Sequence, residues 1–208
     1  MPTAEAAARI PLLSPARTWV RRGSEPDAVV IDLLETELRL PRALCTLLVQ
    51  RGFGDPALAK NFLKPRIDAL SDPYGLAGMD TAVARIVKAI DNGERILVHG
   101  DYDVDGICGA SLYTLVLRGL GAVVEPFVPH RLTDGYDLGH AGIRRAAEVE
   151  ATLILTVDCG IVAHDAVESA RAAGIDVIIT DHHTPGPQLP AAHAVINPNR
   201  ADCTFAEK

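Results

Sequence analysis

Five short apolar runs, none alternating regularly with polar residues, constrain this chain more than anything else in it. They are ILV at 96–98, VVEPFV at 123–128, TLILTV at 152–157, DVIIT at 176–180 and AVI at 194–196. A strand with one wet face alternates, whereas a continuous Val/Ile/Leu run suits a strand buried on both faces. Helical stretches at 107–120, about 140–149 and 163–173 separate the runs, the last closing with Gly174. Such alternation predicts an α/β fold over 95–208, a doubly wound, mostly parallel sheet.

The preceding residues read differently. From Pro41, the positions of Leu44, Leu47 and Leu48 predict a helix ending near Gly52; Asp55-Pro56 then gives an N-cap and a first-turn proline for a second, running to about Leu63. Asp80 is expected to cap a third, in which Val83, Ile86, Val87 and Ile90 follow the helical period up to Gly93. Residues 1–35, with Pro2, Pro11, Pro15 and Pro26 and no sustained period, are expected to form a flexible leader anchored by Trp19 and Val20. The predicted organisation is a leader at 1–35, a helical N-terminal region at 36–94 and the α/β domain at 95–208.

Charge divides along the chain. Residues 1–94 carry 12 basic and 12 acidic side chains, and residues 95–208 carry 8 and 15, so the whole net charge of −7 falls in the sheet-forming part. That balance argues against broad, non-specific duplex binding, but not against a polyanion gripped locally beside bound cations. Cys45, Cys108, Cys159 and Cys203 are far apart and form no C-x-x-C pair, which argues against a zinc ribbon or a disulfide framework. With no apolar run of membrane-spanning length and no secretion signal, the expected setting is cytoplasmic, with no membrane partner.

In a doubly wound sheet, ligands bind beyond the carboxyl ends of the strands. After ILV come His99, Asp101, Asp103 and Asp105; after TLILTV come Asp158, Cys159 and Gly160; after DVIIT come Asp181, His182 and His183. A solvated acidic turn with Asp101 as a local cap would explain the first set alone. Three sets of carboxylates and imidazoles on one edge point instead to metal, and the absence of thiolate pairs favours Mn²⁺ or Mg²⁺. Two ions bridged by a shared acid would suit phosphoester hydrolysis. In VPHRLTDGYDLGHAG, Arg131 is placed to hold a phosphate oxygen, or else to pair with Asp134; His130 could assist, and Gly135 and Gly139 let backbone approach a substrate.

At these residues the chain resembles the DHH phosphoesterase superfamily and, within it, the RecJ single-stranded-DNA exonucleases. Asp181-His182-His183 matches the signature triplet, while HGDYDVDG, VPHRLTDGYDLG and TVDCGIVAHDAV are similar to the first three motifs in order. LPAAHAVINPNRADCTF, QRGFGDPALAKNFLKP and LSDPYGLAGMDTAVARI extend the likeness along most of the chain. The resemblance implies metal ligation by Asp103, Asp105, Asp158 and His182, with Asp158 as the bridge and with Asp101 and His99 as further candidates. It implies that His183 contacts the scissile phosphate or acts as an acid, and that Arg131 holds phosphate. The implied reaction is 5′-to-3′ hydrolysis of single-stranded DNA to 5′-mononucleotides in repair and recombination. The implied partners are single-stranded DNA and, among proteins, a single-strand-binding protein or a helicase, with a monomer as the favoured state.

Two departures stand out. Asp137 occupies a place where RecJ proteins commonly have glycine. The sequence also stops at Lys208, ahead of a Leu-Ala-Gly segment and a later metal-binding aspartate of the family, so an N-terminal fragment with weak metal binding and little processive activity is expected. Competing readings are a DHH phosphodiesterase acting on cyclic dinucleotides or short oligonucleotides, and a non-catalytic DHH-fold scaffold, which need not keep its ligands.

Overall fold

The computed structural model describes residues 25–205, so the expectations for Trp19 and Val20 lie outside the described residues. The chain divides into two compact units, with the boundary between Leu70 and Ser71.

In the first unit, three helices run over Ala28–Leu38 (α1), Arg42–Gln50 (α2) and Pro56–Leu63 (α3). As Asp55-Pro56 predicted, Asp55 caps α3, its carboxylate accepting from the amides of Ala57 and Leu58. Helix α1 lies largely where a flexible leader was expected. Asp27 caps it, and Ile31 and Leu34 are its buried positions. Two core positions are too few to raise a helical period in the sequence. They join Cys45, Leu48 and Ala59 in a small core, beside which Phe53 and Phe62 stack with centroids 4.2 Å apart.

The second unit is the sheet. A helix at Met79–Asp91 (α4) precedes strand Arg95–Gly100 (β1); then come Val104–Gly119 (α5), Val123–Phe127 (β2), His140–Glu148 (α6), Leu153–Val157 (β3), His164–Ala172 (α7), Asp176–Thr180 (β4) and Ala194–Ile196 (β5). All the strand pairings are parallel, in the order β2-β1-β3-β4-β5. All five apolar runs became strands. Alternate residues of each strand feed two cores on opposite faces: Leu97, Ile154 and Ile179 pack with α6 and α7, while Ile96, Val98, Leu155 and Ile178 pack with α4 and α5. Helix α4 therefore belongs with the sheet, because Ala82 and Ala89 are buried against it, although composition changes only after Glu94. Asp80 lies in the first turn of α4 rather than capping it; the cap position is Gly78.

This strand order fixes where a ligand can sit. The chain leaves β1 toward β2 on one side and returns to β3 on the other, so a crevice opens beyond the carboxyl ends of β1 and β3. No helix among the described residues is long and apolar enough to cross a membrane.

Candidate metal centre

Beyond β1 the chain turns at once into α5. Periodicity predicts that helix from Ile107, but it begins at Val104 because Asp103 is its N-cap, with Oδ1 accepting from the amides of Asp105 at 3.0 Å and Gly106 at 3.2 Å. The three alternating aspartates thus have three settings. Asp101 is buried at the strand end, Asp103 caps the helix and Asp105 stands exposed in its first turn. Glycine at 106 makes the turn possible: a Cβ there would overlap the backbone N, Cα and O of Asp101.

Asp158, just past β3, takes a left-handed backbone, φ 63°, which aspartate tolerates better than most residues. Its amide donates to the carbonyl of Thr180 at 2.9 Å, and the Thr156 hydroxyl donates to the carbonyl of Cys159 at 2.8 Å. Past β4, Asp181 organises the histidines. Its Oδ1 accepts from the amides of His182 and His183 and lies 2.7 Å from His183 Nδ1, while Oδ2 accepts from the amide of Ile161 at 3.0 Å. Sequence reasoning put Asp181 within the triplet without a role; here it positions both histidines and ties them to the β3 turn.

Two donor groups result. Asp101, Asp103 and Asp158 bring one oxygen each within 4.8 Å of one another, and so do donor atoms of Asp158, His182 and His183. Asp158 belongs to both, and its Oδ1 lies 2.8 Å from His182 Nε2. Burial pushes the carboxyls of Asp101 and Asp158 up from the ordinary aspartate range, while the Gly106 amide holds that of Asp103 below it. Asp101, 2 % exposed, has a buried Oδ1 without a hydrogen-bond partner among the described residues. An unsatisfied buried carboxylate oxygen beside two more carboxylates is costly unless a cation joins them, and hard oxygen donors with imidazole fit an oxygen-seeking divalent ion.

The remaining candidates fall elsewhere. Asp105 lines a cavity of about 420 Å³ with Asp158 and His182 but stands outside both donor groups. His99 is fully buried, its Nδ1 3.6 Å from Cys159 Sγ and its ring against Phe127. Helix α6 covers it at Gly142, where a Cβ would come 2.5 Å from His99 Cδ2. Burial depresses its pKa to about 4, it stands outside both donor groups, and its Nε2 is buried without a hydrogen-bond partner among the described residues. Arg131 is exposed and lies over the Tyr102 ring at 5.0 Å, while Asp134 is engaged by the His130 amide at 2.9 Å. The Nδ1 of His130 lies 3.2 Å from the Thr133 hydroxyl, and Gly135 sits at φ 87° in the same loop.

Sequence reasoning passed over two tyrosines. Tyr102 and Tyr136 meet edge to face at 5.8 Å, and the Tyr136 hydroxyl lies 3.5 Å from His183 Nε2, so aromatic contacts link Arg131 to the histidines. Burial raises the Tyr136 pKa to about 12, which keeps its proton at neutral pH. Tyrosines within motifs at a strand's mouth were the available signal.

Residues 95–207 match the DHH family, N-terminal domain. The chain is 47 % identical over 180 residues to the single-stranded-DNA-specific exonuclease RecJ of Escherichia coli (strain K12), covering 86 % of this chain and 30 % of that protein. It is 38 % identical over 183 residues to RecJ of Bacillus subtilis (strain 168), covering 88 % and 23 %. The crystal structure of RecJ in complex with Mn²⁺ from Thermus thermophilus aligns with a TM-score of 0.65 at 32 % identity, over 88 % of this chain and 25 % of that one. The chain therefore spans less than a third of the length of each of these relatives. With the family match running from the first residue of β1 through the Asp181-His182-His183 triplet, and with the triplet placed beside Asp158 on the sheet edge, this chain belongs to the DHH family.

Proposed function

We propose that this chain carries the hydrolytic centre of a metal-dependent phosphodiesterase that digests single-stranded DNA from the 5′ end to 5′-mononucleotides. The observation that carries the reading is the membership of Asp158 in both donor groups, the arrangement expected of an acid shared by two ions. Asp101, Asp103 and Asp158 would hold one ion and Asp158 with His182 the other, with Asp105 at the cavity wall as a further donor. Mn²⁺ or Mg²⁺ there would make water nucleophilic at neutral pH and offset charge on the phosphate.

The chain's own residues supply the rest. His183 is anchored through Nδ1 to Asp181, a hydrogen bond that raises its pKa, so its Nε2 suits a proton-bearing contact to the scissile phosphate. Arg131, resting on Tyr102, offers an exposed guanidinium to a non-bridging phosphate oxygen. His130 and Gly135 belong to the same loop, where they would line the path of the strand. The similarity to RecJ exonucleases supports single-stranded DNA as substrate. Four free cysteines, Cys108 exposed among them, suit a reducing compartment such as the cytoplasm.

The test is digestion of single strands labelled at either end, with Mn²⁺, Mg²⁺ or EDTA. Early release of labelled mononucleotide from the 5′-labelled strand, abolished by EDTA, is expected. Hydrolysis of dinucleotides with long strands left intact would move the substrate to the short phosphodiesters, and metal-independent digestion would end the two-ion reading.

A further inference from the structure

Residues 128–139, between β2 and α6, carry Arg131 and Tyr136, and their polar hold on the rest of the site is narrow. Within the loop, the amides of Thr133 and Asp134 donate to the His130 carbonyl, and Asp134 accepts from the His130 amide. Leu138 is buried at the far end. Among the described residues, the Gly139 carbonyl accepts from the Ile143 amide at 3.3 Å where the loop runs into α6, and two further hydrogen-bond contacts reach other elements. One is the 3.5 Å approach of Tyr136 to His183; the other is Asp137 Oδ1, which accepts from the amide of Gly160 at 2.6 Å.

The next amide along, that of Ile161, donates to Asp181 Oδ2. Consecutive amides of the β3 turn are thus held by carboxylates from the loops after β2 and after β4. The backbone of Asp137 sits at φ 72°, a region that aspartate, asparagine and glycine occupy more readily than other residues.

We infer that Asp137 is a positioning residue: through Gly160 it fixes Arg131 and Tyr136 against the turn that presents Asp158. For its substrate, this inference rests on the nuclease reading. The turn keeps three other restraints, Asp158 amide to Thr180, Thr156 to Cys159 and Ile161 amide to Asp181, whereas the loop, apart from its junction with α6 at Gly139, has no second short hydrogen bond to another element among the described residues. Loss of the tether should therefore weaken the grip on the strand and spare turnover.

Asp137→Gly keeps the backbone conformation and removes the acceptor; Asp137→Asn keeps both. In the full chain with Mn²⁺ and a 5′-phosphorylated thymidine oligonucleotide, D137G should raise KM about tenfold with kcat within about twofold, and D137N should restore the native KM. In the same proteins, NMR exchange of the Gly160 amide should quicken about tenfold in D137G and stay native in D137N. A native KM in D137G overturns the substrate role, and so does a D137N as impaired as D137G. Unchanged Gly160 exchange in D137G overturns the tether itself. A native chain that hydrolyses no oligonucleotide sinks the nuclease reading and the substrate role with it, while the exchange measurement still decides the tether.

Discussion

The two ends of the sheet's strands treat charge in opposite ways. At the amino-terminal end, acids meet a cation: the buried guanidinium of Arg85 lies 2.6 Å from Asp176 and 2.7 Å from Glu94, and Glu94 also accepts from the Thr152 hydroxyl at 2.7 Å. At the carboxyl end, three acids converge, Asp101, Asp103 and Asp158, with His182 beside Asp158. Among the described residues, buried unpaired atoms occur at both ends, Arg85 Nη1 at the first and Asp101 Oδ1 and His99 Nε2 at the second, but only at the second is one of them a carboxylate oxygen beside other carboxylates. Compensated charge closes a structure, whereas convergent uncompensated charge asks for a ligand. The same strands serve both ends, so the difference lies wholly in the residues that flank them.

The comparison breaks first, and most heavily, at Asp158. Asp158→Asn should lower kcat by about a thousandfold, roughly 4 kcal/mol, and should abolish the rise in melting temperature on adding Mn²⁺. Without metal, D158N should melt no lower than the native chain, because it relieves repulsion among the carboxylates. A melt several degrees lower would mean that Asp158 is structural. Arg85→Ala at the other end should do the reverse: a loss of about 3 kcal/mol in urea unfolding, since Asp176 and Glu94 would lose their cation, with kcat per folded molecule unchanged.

Glu94 sharpens the contrast through pH. Its hydrogen bond from Thr152, then those from Asn92 and Arg85, hold its pKa at about 2, below the ordinary glutamate value of 4.5. A depressed acid stabilises the fold fully above its unfolded pKa and loses that contribution as pH falls toward its folded one. Between pH 4.5 and 2 the native chain should lose on the order of 2 kcal/mol that Glu94→Gln does not lose, allowing for partial exposure; unfolding curves across that window measure it. The smallest effect is expected at Gly142→Ala. The added methyl would press on the buried His99 and cost about 1.5 kcal/mol in urea unfolding, whereas a thermoneutral result would mean that the imidazole has room to move.

Much of the site was legible because strand ends are legible. An apolar run such as DVIIT stops where its polar residues begin, and the parallel sheet carries those residues to one edge. What went unread depended on side chains that meet only after folding. Nothing local distinguishes His99 from Asp101 as a donor, yet one lies beneath α6 and the other faces Asp103 and Asp158. Arg131 could have paired with Asp134 on spacing alone; Tyr102, 29 positions away, took the guanidinium instead. Helix α1 was missed because a small helical unit buries few positions.

The sequence by itself determined the fold class, the five strands, the sheet edge that carries the candidate site and the acids and histidines gathered there, since apolar continuity and chain order are local properties. Tertiary structure alone decided which of those residues share a point in space. It made Asp158 common to two donor groups, put His99 into the core, and joined Asp137 and Asp181 to neighbouring amides of one turn. The physical reason is that donor distances and desolvation are set by how the loops after β1, β2, β3 and β4 close on one another, and no single stretch of sequence contains that closure.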